Sequence, residues 1–415
     1  LDMIGDCEFR IEDCLGQISM LDERIGAWEY VDAGGAIERA RQLDRAVQHG
    51  PLHGMAVGVK DIIDVGGMPT RCGTPIYAQN IARIDATCVA LAKAAGAVII
   101  GKTATTELAA FQPASTRNPQ QLDHTPGGSS SGSAAAVSAG MVPMAFGTQT
   151  AGSVIRPAAY CGVVGFKPTF GLVPRGGVKL QSETLDTVGV FTRTIEDALK
   201  WYAAMSGGQL QQAASAAGER TLRISILTNL LDRADVDMSV AIAEAADALS
   251  AGGVRVREVR LPALFDDAQK DQRTIQLAEM ARHYRVEHRD FRSQLSDAIV
   301  AMLDEGAAID QHDYLDALQR TETARKQADI LLGESDAWLM PSASGAAPKG
   351  LASTGNPVFN RLATTLHLPA INLPVYRNKN RMPLGMQLIG ARHQDEKLLA
   401  TAQRAMDYMR AATHD

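Results

Sequence analysis

Short apolar runs alternate with helical stretches over much of the first half of the chain. Between positions 51 and 194 the apolar runs read MAVGVK, AVIIG, VPMAFG and GVVGF, with helical segments between several of them. Short strands without a polar face are typical of a sheet that helices cover on both faces. This pattern predicts an α/β architecture for this part of the chain.

A second alternation follows a break near positions 206–220, which reads as a surface loop. The strand-like segments are LRISILT, VRVREVRL, AWLMP, PAINLPV and PLGMQLIG, and a final helix begins at Asp395. Positions 1–47 read as an N-terminal helical segment, in which AIERARQLDRAV is the clearest helix. Positions 268–333 are mostly helical and charged. A solvated helical layer is the simpler interpretation of them, although such sections also shape substrate entrances.

Composition narrows the classes of partner. The formal net charge of −6 argues against nucleic acid, because that partner needs a basic face. No uncharged apolar run of 18 residues is present, so no membrane partner is expected. Five scattered cysteines predict a reducing, cytoplasmic location, and without CxxC or HExxH patterns no metal or other cofactor is expected. The oligomeric state stays open, with a homodimer as one option.

Candidate chemistry is concentrated at positions 125–157, TPGGSSSGSAAAVSAGMVPMAFGTQTAGSVIRP, where two Gly/Ser turns flank a helix and a strand. Ser129 lies in the first turn, Ser153 in the second, and Lys60 stands 69 positions before Ser129 in an apolar run. A serine hydroxyl needs a base to become a nucleophile, and a lysine can serve if burial lowers its pKa toward neutrality. Strand alternation would send Asp61 to the opposite face, so it need not hold Lys60 charged.

These residue types predict a hydrolase site in which Ser129 relays a proton between Ser153 and Lys60. The glycines of both turns permit the backbone geometry that such a site requires. Backbone N–H groups would stabilise the oxyanion. They belong to Thr150, Ala151, Gly152 and Ser153.

The run GGSSSGSAAAVSAG followed by GTQTAGSVIRPAAYCGVVGFKPTFG resembles the amidase signature family. The match begins near PLHGMAVGVKDIID, includes DATCVALAKAAGAVIIGKTATTEL, and reappears in FNRLATTLHLPAINLPV and PLGMQLIGARHQDEKLL. The resemblance implies Ser153 as nucleophile, Ser129 as the serine after a cis peptide bond, and Lys60 as base. It also implies a single α/β/α domain, placed at positions 48–415, around a large mixed, mainly parallel β-sheet. The family-like core spans positions 51–194 and 335–411.

Two departures from the commoner family pattern bear on the substrate. Position 151 is alanine where T-G-G-S is usual, and we expect that it needs no positive φ. Arg156 stands three residues after Ser153 rather than two, which turns its side chain toward the other face of an extended segment. In this respect the chain resembles the malonamidase branch, where an arginine grips the substrate carboxylate through its planar fork. The alternative is a structural arginine that binds loop carbonyls.

Several further side chains are candidates for the same site. Thr148 and Gln149 would orient the nucleophile or line the pocket, with structural support as an equal alternative. Ser130 is a further candidate for bonding within the site, and with Ser131 it is predicted to cap a helix that starts near position 133. Asp186 is a candidate acid beside the site, with a structural role favoured.

Positions 96–103 match the phosphate-loop pattern G-x-x-x-x-G-K-T, but we reject ATP binding there. The interior of the match is Val-Ile-Ile, which favours a strand, and the preceding ATCVALAKAAG reads as a helix. The segment is therefore predicted as a helix, a turn at Gly96, a buried strand and a loop.

The sequence thus predicts an amidohydrolase that cleaves a small carboxylate-bearing amide, malonamate-like, to acid and ammonia. A carbamate, urea-type (allophanate-like) or aryl amide bond at the same site is the alternative. A component of an amidotransferase would need partner surfaces and a basic RNA-facing patch, which the acidic balance disfavours. A catalytically silent binding protein is disfavoured because all three predicted catalytic residues are present.

Overall fold

The computed structural model describes residues 6–46, 50–207 and 220–413. Within them, eleven strands form one sheet in the order β1-β3-β2-β4-β6-β5-β10-β11-β9-β7-β8. The strands are β1 (Trp28–Val31), β2 (Ala56–Lys60), β3 (Val98–Thr103), β4 (Met144–Gln149), β5 (Val164–Lys167), β6 (Thr187–Thr192), β7 (Arg223–Leu227), β8 (Arg255–Val259), β9 (Ala337–Pro341), β10 (Ala370–Arg377) and β11 (Pro383–Ile389).

Helices pack around this sheet, and most of the inner strands are buried along their whole length. Among the described residues the helices are α1 (Asp6–Ile25), α2 (Ala33–Asp44), α3 (Thr87–Ala94), α4 (Ser131–Ser138), α5 (Ile155–Cys161), α6 (Ile195–Ser206), α7 (Val236–Ala251), α8 (Ala263–His283), α9 (Arg285–Asp290), α10 (Asp297–Ala307), α11 (Gln311–Leu332), α12 (Arg361–Thr365) and α13 (Asp395–Thr413). The predicted α/β fold around one large mixed sheet is confirmed.

The expected predominance of parallel strands is wrong. Parallel pairing joins β3, β2 and β4 on one side and β9, β7 and β8 on the other. The centre between these groups is antiparallel, as is the edge strand β1. The physical reason is clearest at β10 and β11, which only positions 378–382 connect. So short a connection allows a hairpin but not the crossover that a parallel pair requires.

The N-terminal segment contains a strand that its helical pattern did not predict. Between α1 and α2, β1 pairs antiparallel with β3 at the edge of the sheet. Its four residues, WEYV, are mostly half-buried, so they give neither a continuous apolar run nor a helical period. The division proposed at positions 47 and 48 lies outside the described residues, as does most of the loop predicted near 206–220.

The rejected phosphate-loop match is a buried strand, as predicted. Helix α3 ends at Ala94, Gly96 has a φ of +96°, and β3 follows. The Nζ atom of Lys102 donates to Asp61 Oδ1 at 2.9 Å, to the carbonyl of Pro69 at 2.7 Å and to Thr70 Oγ1 at 2.9 Å. A lysine held in this way inside the sheet has no free end for a phosphate.

The sheet brings the two serine turns and the lysine together at one edge. Strands β2 and β4 are parallel neighbours, so their carboxyl ends, Lys60 and Gln149, lie at the same edge. The first Gly/Ser turn precedes α4, and the second joins β4 to α5. Residues that are far apart in sequence therefore meet beyond the ends of two adjacent strands.

Candidate active site

The first serine turn relies on close backbone approaches that only glycine permits. Gly127 has a φ of +81°, and a Cβ atom there would lie 2.9 Å from the Cα of Pro157. A Cβ atom on Gly132 would lie 2.3 Å from the carbonyl oxygen of Ala27. The peptide bond between Gly128 and Ser129 is cis, as the family resemblance implied. These features place the Ser129 hydroxyl against the end of β2.

Lys60 is fully buried and contacts the predicted relay serine directly. Its Nζ atom donates to Ser129 Oγ at 2.7 Å and to Thr148 Oγ1 at 2.8 Å. Burial lowers the pKa of Lys60 to about 7, and the charge of Asp186 opposes that shift without cancelling it. Asp61 pairs with Lys102 instead, and it is not among the groups that shift the pKa of Lys60, so it does not hold that amine charged. The amine is therefore set close to the pKa that a base at neutral pH needs.

Ser153 is half-buried in the second turn, immediately before α5. Among the described residues, none accepts a hydrogen bond from the backbone N–H groups of positions 150–153. Ala151 is not among the described non-glycine residues with positive φ, so the alanine at this position needs no left-handed backbone. The turn thus exposes several unused donors beside one serine hydroxyl.

Gln149 supports this turn from below. Its Oε1 atom accepts from the N–H groups of Val154 and Ile155, both at 3.0 Å, and so binds the first N–H groups of α5. Its Nε2 atom donates to Thr364 Oγ1 at 3.0 Å, and that hydroxyl donates to the carbonyl of Ala151 at 3.2 Å. Both ends of the Gln149 amide are engaged in this way, so its contacts fit a structural role in holding the turn.

The Ser130 side chain bonds to the backbone of β4 and does not cap a helix. Its hydroxyl donates to the carbonyl of Thr148 and accepts from the N–H of the same residue, both at 3.3 Å. Helix α4 begins at Ser131, two residues earlier than predicted, and Ser130 makes no side-chain capping bond. The predicted cap is therefore wrong, because the β4 backbone takes the hydroxyl that would have formed it.

Asp186 anchors the predicted oxyanion turn to the segment that precedes β6. Its carboxylate accepts from Thr150 Oγ1 at 2.5 Å and from the N–H groups of Gln181 at 2.7 Å and Ser182 at 3.3 Å. Burial raises the pKa of Asp186 to about 6, although these hydrogen bonds act in the other direction. The contacts fit the favoured structural role, and the carboxylate is also near enough to influence Lys60.

Arg156 lies in α5 with 2% of its surface exposed. Its Nη2 atom donates to the carbonyl of Gly128 at 2.7 Å and to Thr354 Oγ1 at 3.1 Å. The Nε and Nη1 atoms are buried and have no partner among the described residues. Burial lowers the pKa of Arg156 to about 10, and among the described residues its hydrogen bonds go to a carbonyl and a hydroxyl rather than to a carboxylate. The guanidinium therefore ties down one carbonyl and keeps two nitrogens unused.

Ser153 and Arg156 line the same small cavity, which encloses about 10 Å³. This volume is about what one water molecule requires, so the cavity is closely packed as it stands. Its walls include residues that the sequence did not single out. The lining consists of Ala109, Ala110, Phe111, Thr150, Ala151, Ser153, Arg156, Gln181 and Gln276.

Helix α8 is part of this site rather than of a solvated layer. Gln272 and Gln276, one turn apart, are 0% and 5% exposed, and Gln272 Nε2 donates to the carbonyl of Thr150 at 3.0 Å. The simpler interpretation of positions 268–333 is therefore wrong for α8. The spacing of the two glutamines places them on one helix face, but uncharged polar residues at that spacing are also common on exposed faces.

Other chemistries find little support in the described residues. No group of three or more His, Cys, Asp or Glu side chains is placed there to share a metal ion. Nor is any helix described here long and apolar enough to cross a membrane. Cys161 is fully buried, which raises the pKa of its thiol far above neutrality, so it packs as a small apolar residue as predicted.

Comparison with known proteins identifies relatives of the whole chain. The sequence model of the family described as Amidase matches residues 10–399. A glutamyl-tRNA(Gln) amidotransferase subunit from Symbiobacterium thermophilum is 31% identical, over 97% of this chain and 93% of that protein. The protein of the same name from Desulforapulum autotrophicum is 44% identical, but the match spans only 49% of this chain and 43% of that protein.

Solved structures extend the comparison to the whole fold. The peptide amidase of Stenotrophomonas maltophilia superimposes with a TM-score of 0.84 at 27% identity, over 97% of this chain and 94% of that one. The family match covers most of the chain, and the structural match covers nearly the whole fold. The chain therefore belongs to the amidase signature family of amidohydrolases.

Proposed function

We propose that this protein hydrolyses a small carboxylate-bearing amide, of the malonamate type, to an acid and ammonia through an acyl-enzyme on Ser153. The contact that carries the proposal is the 2.7 Å hydrogen bond between buried Lys60 and Ser129. A second observation supports it: Ser153 and Arg156 line the same small cavity. The first contact supplies a base for the reaction, and the second supplies a place for a short anionic substrate.

Acylation begins with neutral Lys60. At 2.7 Å the Ser129 hydroxyl can donate to the amine in place of the reverse hydrogen bond. Ser129 gives its proton to Nζ and takes the proton of Ser153, whose Oγ forms a bond to the amide carbon. The carbonyl electron pair moves to oxygen, where the N–H groups of positions 150–153 stabilise it. When the oxyanion collapses, the C–N bond breaks and the same relay returns the proton to nitrogen, which leaves as ammonia.

Deacylation repeats these steps with water. Water gives a proton through Ser129 to Lys60 as its oxygen attacks the ester carbon. The second oxyanion collapses, the bond from that carbon to Ser153 Oγ breaks, and the relay returns the proton to Ser153. Atoms balance as one amide and one water giving one acid and one ammonia. The chain's own residues supply every proton transfer in this scheme.

The decisive experiment measures ammonia release from malonamate and from 3-methylbutanamide, in which an isopropyl group replaces the carboxylate. The two amides have similar shape and differ in charge. Preference for malonamate supports both the hydrolase and the anionic substrate. Preference for the neutral amide keeps the mechanism but rejects the carboxylate, and allophanate and an aryl amide then test the remaining bond types.

Replacement of Arg156 by alanine should raise the KM for malonamate by about 30- to 5,000-fold, because truncating one partner of a buried charge pair costs about 2–5 kcal/mol. The KM for 3-methylbutanamide should change less than threefold. Steady-state kinetics on both amides measures the difference. The matched control is Thr354→Val, which removes a partner of Nη2 but keeps the guanidinium charge. Equal losses on both amides in Arg156→Ala would make the arginine structural.

Replacement of Asp186 by asparagine should shift the pH profile of kcat/KM to lower pH. The carboxylate raises the pKa of Lys60, so its removal lets that pKa fall further below about 7. The fraction of neutral Lys60 at a given acidic pH then increases. The measurement is the midpoint of the profile rather than the maximal rate, since the variant also loosens Thr150. An unchanged midpoint would contradict this electrostatic role.

A second candidate function is that of a component of an amidotransferase, which the names of the curated relatives favour. In that function the ammonia would pass to a partner protein instead of being released. The purified chain alone discriminates between the two. Rapid free ammonia release from a small amide without any partner favours the hydrolase, whereas release that depends on an added partner protein favours the amidotransferase.

A further inference from the structure

Two glutamine side chains line the cavity together with Arg156. Gln181 comes from the segment before β6, and Gln276 comes from α8. They are 1% and 5% exposed, so their amide groups are shielded from bulk water. Buried amides of this kind usually satisfy their hydrogen bonds within the protein, which makes unused capacity informative.

Hydrogen bonds fix which way each amide points. Gln181 Nε2 donates to the carbonyl of Leu108 at 2.9 Å, and a backbone carbonyl can only accept. The Oε1 atom of Gln181 must therefore accept, and it does so from Gln276 Nε2 at 2.8 Å. The Oε1 atom of Gln276 in turn accepts from Gln272 Nε2 at 3.0 Å. Gln272 Nε2 also donates to the carbonyl of Thr150. Because a carbonyl can only accept, the orientation of the Gln272 amide is fixed as well.

This series of hydrogen-bonded glutamines leaves two amide hydrogens without an acceptor in the described part of the chain. An amide nitrogen carries two hydrogens, and Gln272 uses both of its own. Gln276 and Gln181 each use one, and among the described residues none accepts the other. Gln276 and Gln181 can therefore each donate one further hydrogen bond from a buried side chain that lines the cavity.

Arg156 needs such help to hold a carboxylate. Its Nη2 atom already donates to two acceptors, which matches its two hydrogens. Both bidentate edges of a guanidinium include that nitrogen, so the fork expected from the sequence is not free. Nη1 can still bind one oxygen of a carboxylate, but the second oxygen requires a donor from elsewhere in the cavity.

We propose that Gln276, supported by Gln181, is a specificity-determining residue that donates to the carboxylate oxygen that Arg156 leaves unbound. The inference rests on the proposed function and deepens it, because it names how the same site would select its substrate. Gln276, Gln181 and Arg156 line the same small cavity as Ser153, which places this clamp beside the proposed nucleophile. The substrate class is accordingly the monoamides of short dicarboxylic acids, in which amide and carboxylate are separated by very few atoms.

The test combines kinetics with binding. Gln276→Met keeps the length of the side chain and removes its donor, whereas Gln276→Glu keeps the shape and adds a charge that repels an anion. Gln269→Met is the matched control, because Gln269 is a buried glutamine of α8 that does not line the cavity. Each variant is assayed with malonamate and 3-methylbutanamide, and the dissociation constant of malonate is measured by calorimetry.

Gln276→Met should lower kcat/KM for malonamate by about 10- to 100-fold, mainly through KM, since a hydrogen bond to a charged group contributes about 1.5–3 kcal/mol. In the same variant, kcat/KM for the neutral amide should change less than threefold. The dissociation constant of malonate should rise by about the same factor as the KM for malonamate. Gln276→Glu should weaken malonate further, and Gln269→Met should change neither ligand.

Equal losses on both amides, or unchanged malonate binding in both Gln276 variants, would overturn the proposal. Failure of the hydrolase function would look different. In that case the unaltered protein would release no ammonia from either amide, while malonate binding would still depend on Gln276. Calorimetry thus tests the clamp even where turnover is absent. If Gln276→Met fails to fold, malonate binding by Gln276→Glu provides the test.

Discussion

Ser153→Ala should lose about 10⁶-fold in kcat, the loss seen when the catalytic serine of a serine protease is removed. The proposed mechanism forms a covalent bond to this oxygen, and an alanine offers no atom to replace it. The fold should be unaffected. The serine lies half-buried in a turn that Gln149, Thr364 and Asp186 hold through other atoms. Ammonia release, with thermal unfolding as a check of the fold, measures both parts.

The control for this variant is Ser131→Ala, two residues from Ser129. Ser131 is buried and its hydroxyl has no partner among the described residues, so its loss should change the rate less than about threefold. A fluorophosphonate probe gives an independent readout. Mass spectrometry should locate it on Ser153 in the unaltered protein and find none in Ser153→Ala. Labelling of another serine, or retained turnover in Ser153→Ala, would contradict the assignment of the nucleophile.

The sequence predicted the part of the site that depends on short-range pattern. Two Gly/Ser turns and one lysine in an apolar strand were enough to single out Ser129, Ser153 and Lys60, and the structure places Lys60 against Ser129. Local pattern also predicted the buried strand at positions 98–103 and the burial of Cys161. Each of these follows from hydrophobicity and backbone geometry within a few residues.

The rest depends on contacts between distant segments, which a single sequence does not encode locally. Gln276 reaches Gln181 across 95 positions, and the hydroxyl of Ser130 bonds to β4 instead of capping its own helix. Strand direction has the same origin, since pairing is settled by which segments meet in the sheet. The glutamines of α8 could have been suspected only from their uncharged polar character in an otherwise charged section. That signal is weak without the fold.

Lys60→Met should lower kcat by several orders of magnitude, because Ser129 then has no base to receive its proton. In the unaltered protein kcat/KM should rise with pH through about 7 and level off above it. Only the neutral amine accepts a proton, and burial lowers its pKa to about that value. At pH 6 the rate should be about tenfold below the plateau. The measurement is a pH profile between 5 and 9, and a rate loss below tenfold in Lys60→Met would argue against a base.

The free energy of unfolding distinguishes a catalytic Lys60 from the buried Lys102, which has a structural role. The pKa of Lys60 in the folded protein, about 7, lies below its ordinary 10.5, so the unfolded chain binds more protons between these values and stability rises with pH there. Below pH 7 the buried charge destabilises the fold fully, and Lys60→Met removes that cost. Lys102→Met should instead lose about 3–5 kcal/mol in the free energy of unfolding, because it leaves Asp61 buried without its partner. A lysine kept at a cost to stability is expected where the amine serves the reaction, so urea unfolding of both variants tests that interpretation. Comparable destabilisation by Lys60→Met would make it structural.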